Sequence, residues 1–183
     1  MIATDYNKDI IAWSQYQVRL LREKRFSELD IDNIIEEIED VGKSEVRELT
    51  SCMAELIMHL LKYCYQPWKQ TMSRLDSIRL QREDIKALLK KTPSLKPYLH
   101  DPEWQESVWR KALIRALKET SSENVQETRV VFPQENPWTV EEILTAGWLP
   151  QAVLVDDAQA AYPLSDEEKQ EWSRRCAETS RFR

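Results

Sequence analysis

Five polar side chains share one flank of a helical stretch: Glu48, Cys52, Glu55, His59 and Gln66, at spacings of 4, 3, 4 and 7. Glu55 and His59, four residues apart, stand one above the other. A carboxylate and a neutral imidazole so placed suit zinc, iron, nickel or manganese. Glu48 is the third candidate ligand, and any further one must come from a partner helix. The Glu-x-x-His spacing of di-iron bundles is absent, as is H-E-x-x-H. With His59 and His100 the only histidines, a three-histidine site within one subunit is excluded. The plainer reading is a half-buried His59 bonded to a neighbouring carboxylate or backbone carbonyl. No cofactor is therefore expected, with a divalent transition metal as the alternative.

Other chemistries are less well served. Cys52 and His59 share a face but lie seven residues apart, roughly 10 Å along a helix, too far for a direct dyad. No serine elbow or oxyanion loop is visible, so no catalytic residue is assigned. Glu36, Glu37, Glu39 and Asp40 form an acidic cluster that suits a helix N-terminus. Glu39 reaches Lys43, whereas Glu36 and Asp40 repel at the same spacing. A solvated or internally paired face is expected there, and a basic partner such as region 62–119 would relieve the conflict. Arg74, Arg79, Arg82, Lys86, Lys90, Lys91 and Lys96 form a basic run, with Arg79, Arg82, Lys86 and Lys90 near one helical face. Phosphate contacts are the chemistry of such a face. Glu83 and Asp84 interrupt it, and no recognisable DNA- or RNA-reading module accompanies it, so nucleic acid is not the expected partner. Of the tryptophans, Trp13, Trp68, Trp109 and Trp138 occupy apolar or motif positions and are assigned to the core. Trp104, Trp148 and Trp172 are the candidate partner-binding residues.

The elements that must position these residues read as helices. Ile10, Trp13, Gln17, Leu20 and Leu21 give a first helix over about 5–25, capped by Thr4 or Asp5. Asp30 caps the strongest element. Its apolar face, from Ile31, Ile34, Ile35, Ile38 and Val41 to Leu49, Met53, Leu56, Ile57, Leu60 and Leu61, keeps phase across Gly42. One helix to about Tyr65 follows, roughly 52 Å long, with a kink at Gly42 left open. Pro67 ends it. A third helix spans 68–91 and stops at Thr92-Pro93. Residues 94–100 hold a helical turn. Asp101-Pro102 starts a fourth helix to about Glu119, with Val108, Trp109, Ala112, Leu113, Ala116 and Leu117 inward. RVVF at 129–132 would make at most an isolated strand. Capping boxes at Thr139–Glu142 and Ser165–Glu168 open two more helices, the first ending at Gly147.

The chain has 183 residues, enough for one domain with its own core. Two glycines among them exclude a glycine-rich phosphate loop and a turn-rich β-barrel. The net charge of -6 is segregated: residues 1–61 carry 7 basic and 13 acidic side chains, residues 62–119 carry 13 and 7, and residues 120–183 carry 6 and 12. The acidic first third and the basic middle are expected to pack together. Cys52, Cys64 and Cys176 are odd in number and lack C-x-x-C spacing, so neither a disulfide framework nor a zinc knuckle is expected. No signal-peptide or membrane-span stretch appears, which points to the cytoplasm and away from a membrane.

Four segments in order, LDIDNIIEEIEDVGKSEVREL at 29–49, LIMHLLKYCYQP at 56–67, QREDIKALLKKTPSLKPYL at 81–99 and FPQENPWTVEEIL at 132–144, carry a resemblance. Over about residues 5–150 the chain is similar to a bacterial, cyanobacteria-rich family catalogued as domain of unknown function 29. Tyr63 stands where that family usually has tryptophan after HLLK. The resemblance implies a mostly helical bacterial protein and no established activity. The expectation is therefore an all-α bundle of about four main helices over residues 1–150, with an acidic one-helix appendage over 151–183. In function it is read as a non-enzymatic protein-interaction or regulatory module. Its partner would be another protein or a second copy of itself. The alternative is a metal-binding bundle using Glu55 and His59, which leaves enzymatic activity open.

Overall fold

Asp9 decides where the first helix begins. Its carboxylate accepts from the Ala12 backbone N–H at 2.9 Å, satisfying a donor that the helix itself leaves unpaired. The computed structural model describes residues 5–123 and 131–153, together with 167, 170 and 174. Helix α1 spans Ile10–Arg22, shorter at both ends than the periodicity suggests. Asp5–Lys8 is taken up by a turn, with Lys8 N donating to Asp5 O at 3.0 Å. At the other end Lys24 adopts a left-handed φ of 58°, which a helix cannot continue through.

Helix α2 runs Ile31–Tyr65, 35 residues without a break at Gly42. Asp30 caps it: its carboxylate accepts from the side chain and backbone of Asn33 and from the Trp13 indole, and these bonds hold it below the usual carboxylate range despite desolvation. A 3₁₀ turn at Pro67–Lys69 follows. Thr71 then caps helix α3, Met72–Lys91, by accepting from Arg74 N. The expected start at Trp68 is thus four residues early, because the chain needs one tight turn after Pro67 before it can re-enter a helix. A 3₁₀ segment at Pro93–His100 leads to helix α4, Pro102–Glu123, with the Asp101 carboxylate accepting from Glu103 N at 3.0 Å. Helix α5 is Val140–Leu144, opened by the reciprocal Thr139–Glu142 capping box. It stops three residues before Gly147, which takes up a φ of 78° in the turn beyond. No strand occurs among the described residues, 131–132 included. The expected capping box at Ser165 lies outside them. Glu167, Gln170 and Arg174 are helical.

The chain gathers into two compact units, Met1–Glu45 and Val46–Arg183. In the first, α1 buries Trp13, Gln17 and Leu20. Trp13 donates to Asp30 at 3.0 Å, and the Gln17 side-chain oxygen accepts from Asp30 N at 3.0 Å. Tyr6 meets Trp13 edge to face at 4.9 Å and donates to Glu37 at 2.7 Å. That bond, and the acids around it, push the Tyr6 phenol up to about 12. The apolar stripe at the start of α2 is not core, contrary to its periodicity. Ile31 and Ile35 are each 51% exposed, and Ile38 and Val41 each 67%.

In the second unit the same stripe is buried: Leu49, Met53, Leu56, Ile57, Leu60 and Leu61 lose nearly all contact with solvent. They share one core with Leu75, Ile78, Ile85 and Leu88 of α3 and with Val108, Trp109, Ala112 and Ala116 of α4. The alanines let helix backbones approach closely. Phe132 and Ile143 complete the core. Leu113 is only partly buried, and Leu117, read as inward, is exposed. The architecture is an all-α bundle. No helix among the described residues is long and apolar enough to cross a membrane.

Candidate functional site

The polar stripe of α2 does not stay together as one wet face. Glu48 is exposed, Cys52, Glu55 and His59 are half-buried, and Gln66 is fully buried, donating to Thr120 Oγ1 at 2.8 Å. Glu55 is its centre. One carboxylate oxygen lies 3.5 Å from His59 Nε2, and the other accepts from Arg115 Nη1 at 3.0 Å. Arg115, on α4, also donates to the carbonyl and hydroxyl oxygens of Ser51, so it clamps α4 to α2. Among the described residues no group of three or more His, Cys, Asp or Glu side chains is arranged to hold a metal ion.

Burial controls the protonation states here. It pushes the His59 imidazole below its ordinary value, outweighing the attraction of Glu55 and Glu119, and Arg74 and Lys62 push the same way. The ring is therefore neutral at neutral pH. Burial also raises the Cys52 thiol, as do Glu48, Asp84 and Glu55. A protonated thiol is a poor nucleophile, in keeping with the absence of a Cys–His dyad. One turn beyond His59, the nearly buried Lys62 ammonium donates to Glu119 at 2.6 Å.

Of the tryptophans assigned to partner binding, neither Trp104 nor Trp148 is fully exposed. Trp104, a candidate partner-binding residue, is buried: its indole donates to Thr50 Oγ1 at 2.9 Å, and that hydroxyl donates to Val46 O. Trp148 is half-buried and lies edge to face with Trp138, which meets Trp109 in the same way. Trp172 lies outside the described residues.

A second feature was only half visible in the sequence. An open groove of about 1020 Å³ runs beside α3. Among the described residues six cationic side chains line it, Arg79, Arg82, Lys86, Lys90, Lys91 and Lys96, against one carboxylate, Glu83. Its accessible apolar lining comes from Leu89 of α3 and Leu144 of α5, while Ile85 is fully buried. Arg79, Glu83, Lys86 and Lys90 recur at intervals of four, three and four, which sets them on one side of α3. Arg82, placed by spacing near the same helical face as Arg79, Lys86 and Lys90, is nearly buried. It donates to Ile143 O at 2.8 Å and to Trp148 O at 2.7 Å, tying α3 to α5 and the turn after it. Arg79 is engaged with Glu83 at 2.9 Å. Lys86, Lys90, Lys91 and Lys96 are exposed. The basic run was legible in the sequence. The apolar lining was not, because Leu144 approaches from more than fifty positions away.

Residues 6–149 match the family model described as domain of unknown function DUF29. The match covers well over half of the chain, which therefore belongs to that family. Searches of curated proteins and of solved structures found no match.

Proposed function

Starting from membership of a family whose description assigns no activity, we propose that the protein is a non-enzymatic interaction module that presents the α3 groove to an acidic segment of a protein. The observation that carries this reading is the groove's composition among the described residues: a cationic lining with a single carboxylate, combined with Leu89 and Leu144. Such a mixture matches an acidic amphipathic segment, whose carboxylates meet the lysines while its apolar side chains meet the leucines. A phosphate backbone would use the lysines and leave the apolar lining bare. Lys86, Lys90 and Lys96 have no ion-pair partner among the described residues. A cytoplasmic setting belongs to the same proposal.

The test is fluorescence anisotropy with a labelled sixteen-residue peptide carrying glutamate and leucine at helical spacing. A peptide with glutamine for glutamate and a short DNA duplex serve as competitors. Binding of the acidic peptide, weakened at least tenfold in Lys86→Glu/Lys90→Glu and by added salt, supports the reading. Preference for the duplex, or indifference to the two substitutions, overturns it.

A second reading has one observation in its favour. His59 Nε2 and Glu55 Oε1, 3.5 Å apart, are close enough to share one divalent transition metal, whereas Glu48, seven residues or about two turns before Glu55, is out of reach of the same ion. Arg115 competes for the same carboxylate. Elemental analysis of untagged protein, with His59→Ala as control, decides it. Stoichiometric metal in the wild type alone supports a metal site, and no metal in either folded protein removes it.

A further inference from the structure

Two surfaces of this chain complement each other in both charge and polarity. One is the groove beside α3. The other is the first third of α2, where Ile31, Ile35, Ile38 and Val41 recur at intervals of four, three and three and are all more than half exposed. An apolar stripe three turns long on a helix calls for a cover. Asp32, Glu36 and Glu39 follow one flank of that stripe, at 80–140° around the helix when Ile31 is placed at zero and each residue advances about 100°. The segment is thus an acidic amphipathic helix, and the groove is a cationic channel with apolar lining.

We infer that the occupant of the groove is the Ile31–Val41 face of a second copy of this chain. This inference rests on the acidic-partner reading above and names the partner. The stripe's isoleucines lie against Leu89 and Leu144, and Glu36 and Glu39 meet Lys86 and Lys90. The contact joins two different surfaces, so it is heterologous. The pair keeps one free helix face and one free groove, and association proceeds to rings or open chains rather than stopping at a two-fold dimer. Charge pairs at the rim make it sensitive to salt.

The experiment is light scattering on the full chain at low salt over a hundredfold range of concentration. Three variants accompany the wild type. Lys86→Glu/Lys90→Glu spoils the groove and leaves the helix face. Glu36→Lys/Glu39→Lys spoils the helix face and leaves the groove. Ile38→Ser removes apolar contact at the centre of the stripe without changing charge. All five positions are exposed, and circular dichroism confirms that each variant is folded. The wild type is expected to grow in mass with concentration and to revert in 0.5 M salt, with each variant alone at monomer mass. Mixing the two charge variants should restore association, because the intact helix face of one meets the intact groove of the other and the two reversed surfaces are again opposite in charge.

A mixture that stays monomeric overturns the inference, as does self-association that survives both charge reversals. A wild type that stays monomeric but binds the acidic peptide of the previous section overturns self-docking and leaves the acidic-partner reading standing. A wild type that does neither overturns both.

Discussion

At the scale of single residues, half-burial gives His59 a testable signature. Its imidazole is held below the ordinary value by desolvation, with Arg74 and Lys62 adding to the effect and Glu55 and Glu119 opposing it. The sign of the linkage follows. Between the folded value and the ordinary 6.5 the unfolded chain binds a proton that the folded chain refuses, so stability rises with pH across that window. The His59 contribution is fully favourable above pH 6.5 and is lost as pH falls through the folded value. Replacing His59 by glutamine keeps a polar side chain and removes the titration. Urea midpoints at pH 7.5 and 5.5 should therefore fall further in the wild type than in His59→Gln. Carboxylates common to both proteins, Asp30 among them, cancel in that difference. Equal falls would mean that the ring protonates as freely in the folded protein as in water. Trp104 teaches a related lesson. Its position in the sequence allowed an interface role, but a hydroxyl on α2 that accepts its indole N–H makes burial comfortable.

At the scale of elements, α2 shows what periodicity can and cannot say. Its ends, Ile31 and Tyr65, follow from local signals: Asp30 as cap and Pro67 as stop. Its apolar stripe is continuous in sequence, yet only the part from Leu49 onward is buried. Periodicity reports which face is apolar. It carries no information on whether another element arrives to cover that face. The same limit explains Arg82, a basic residue within a basic run. Its burial depends on the carbonyl oxygens of Ile143 and Trp148 reaching it from far along the chain. Of the candidate site, the pairing of Glu55 with His59 was legible from spacing. Arg115, sixty positions on, was not. Gly42 offers a prediction at this scale. The helix passes through it unbroken, and a Cβ built there meets nothing within 4 Å. Its backbone therefore pays the flexibility cost of glycine without using its freedom. Gly42→Ala should stabilise the helix around it by about 1 kcal/mol. The comparison is of hydrogen-exchange rates for amides on either side of residue 42. Faster exchange in the variant would show that the backbone there needs glycine.

At the scale of the whole molecule, the two units differ in how much holds each together. The first is anchored by Trp13, Gln17 and Leu20 of α1 and by the bonds around Asp30. The second has a continuous core in which α2 alone buries residues from Leu49 to Cys64. Opening free energy tracks buried apolar contact, so the units should not open together. The prediction is made on one helix, which removes differences in helix type. In native-state hydrogen exchange at low protein concentration, amides at 34–42 of α2 should exchange through a small, denaturant-insensitive opening. Amides at 56–62 should exchange only through global unfolding. Low concentration matters, because a second copy seated on Ile31–Val41 would protect the first set. Protection of 34–42 that appears on raising the concentration would report that seating directly. Uniform protection along α2 at every concentration would mean that the helix opens as one cooperative rod, with a rigidity that the exposed stripe at its start does not supply.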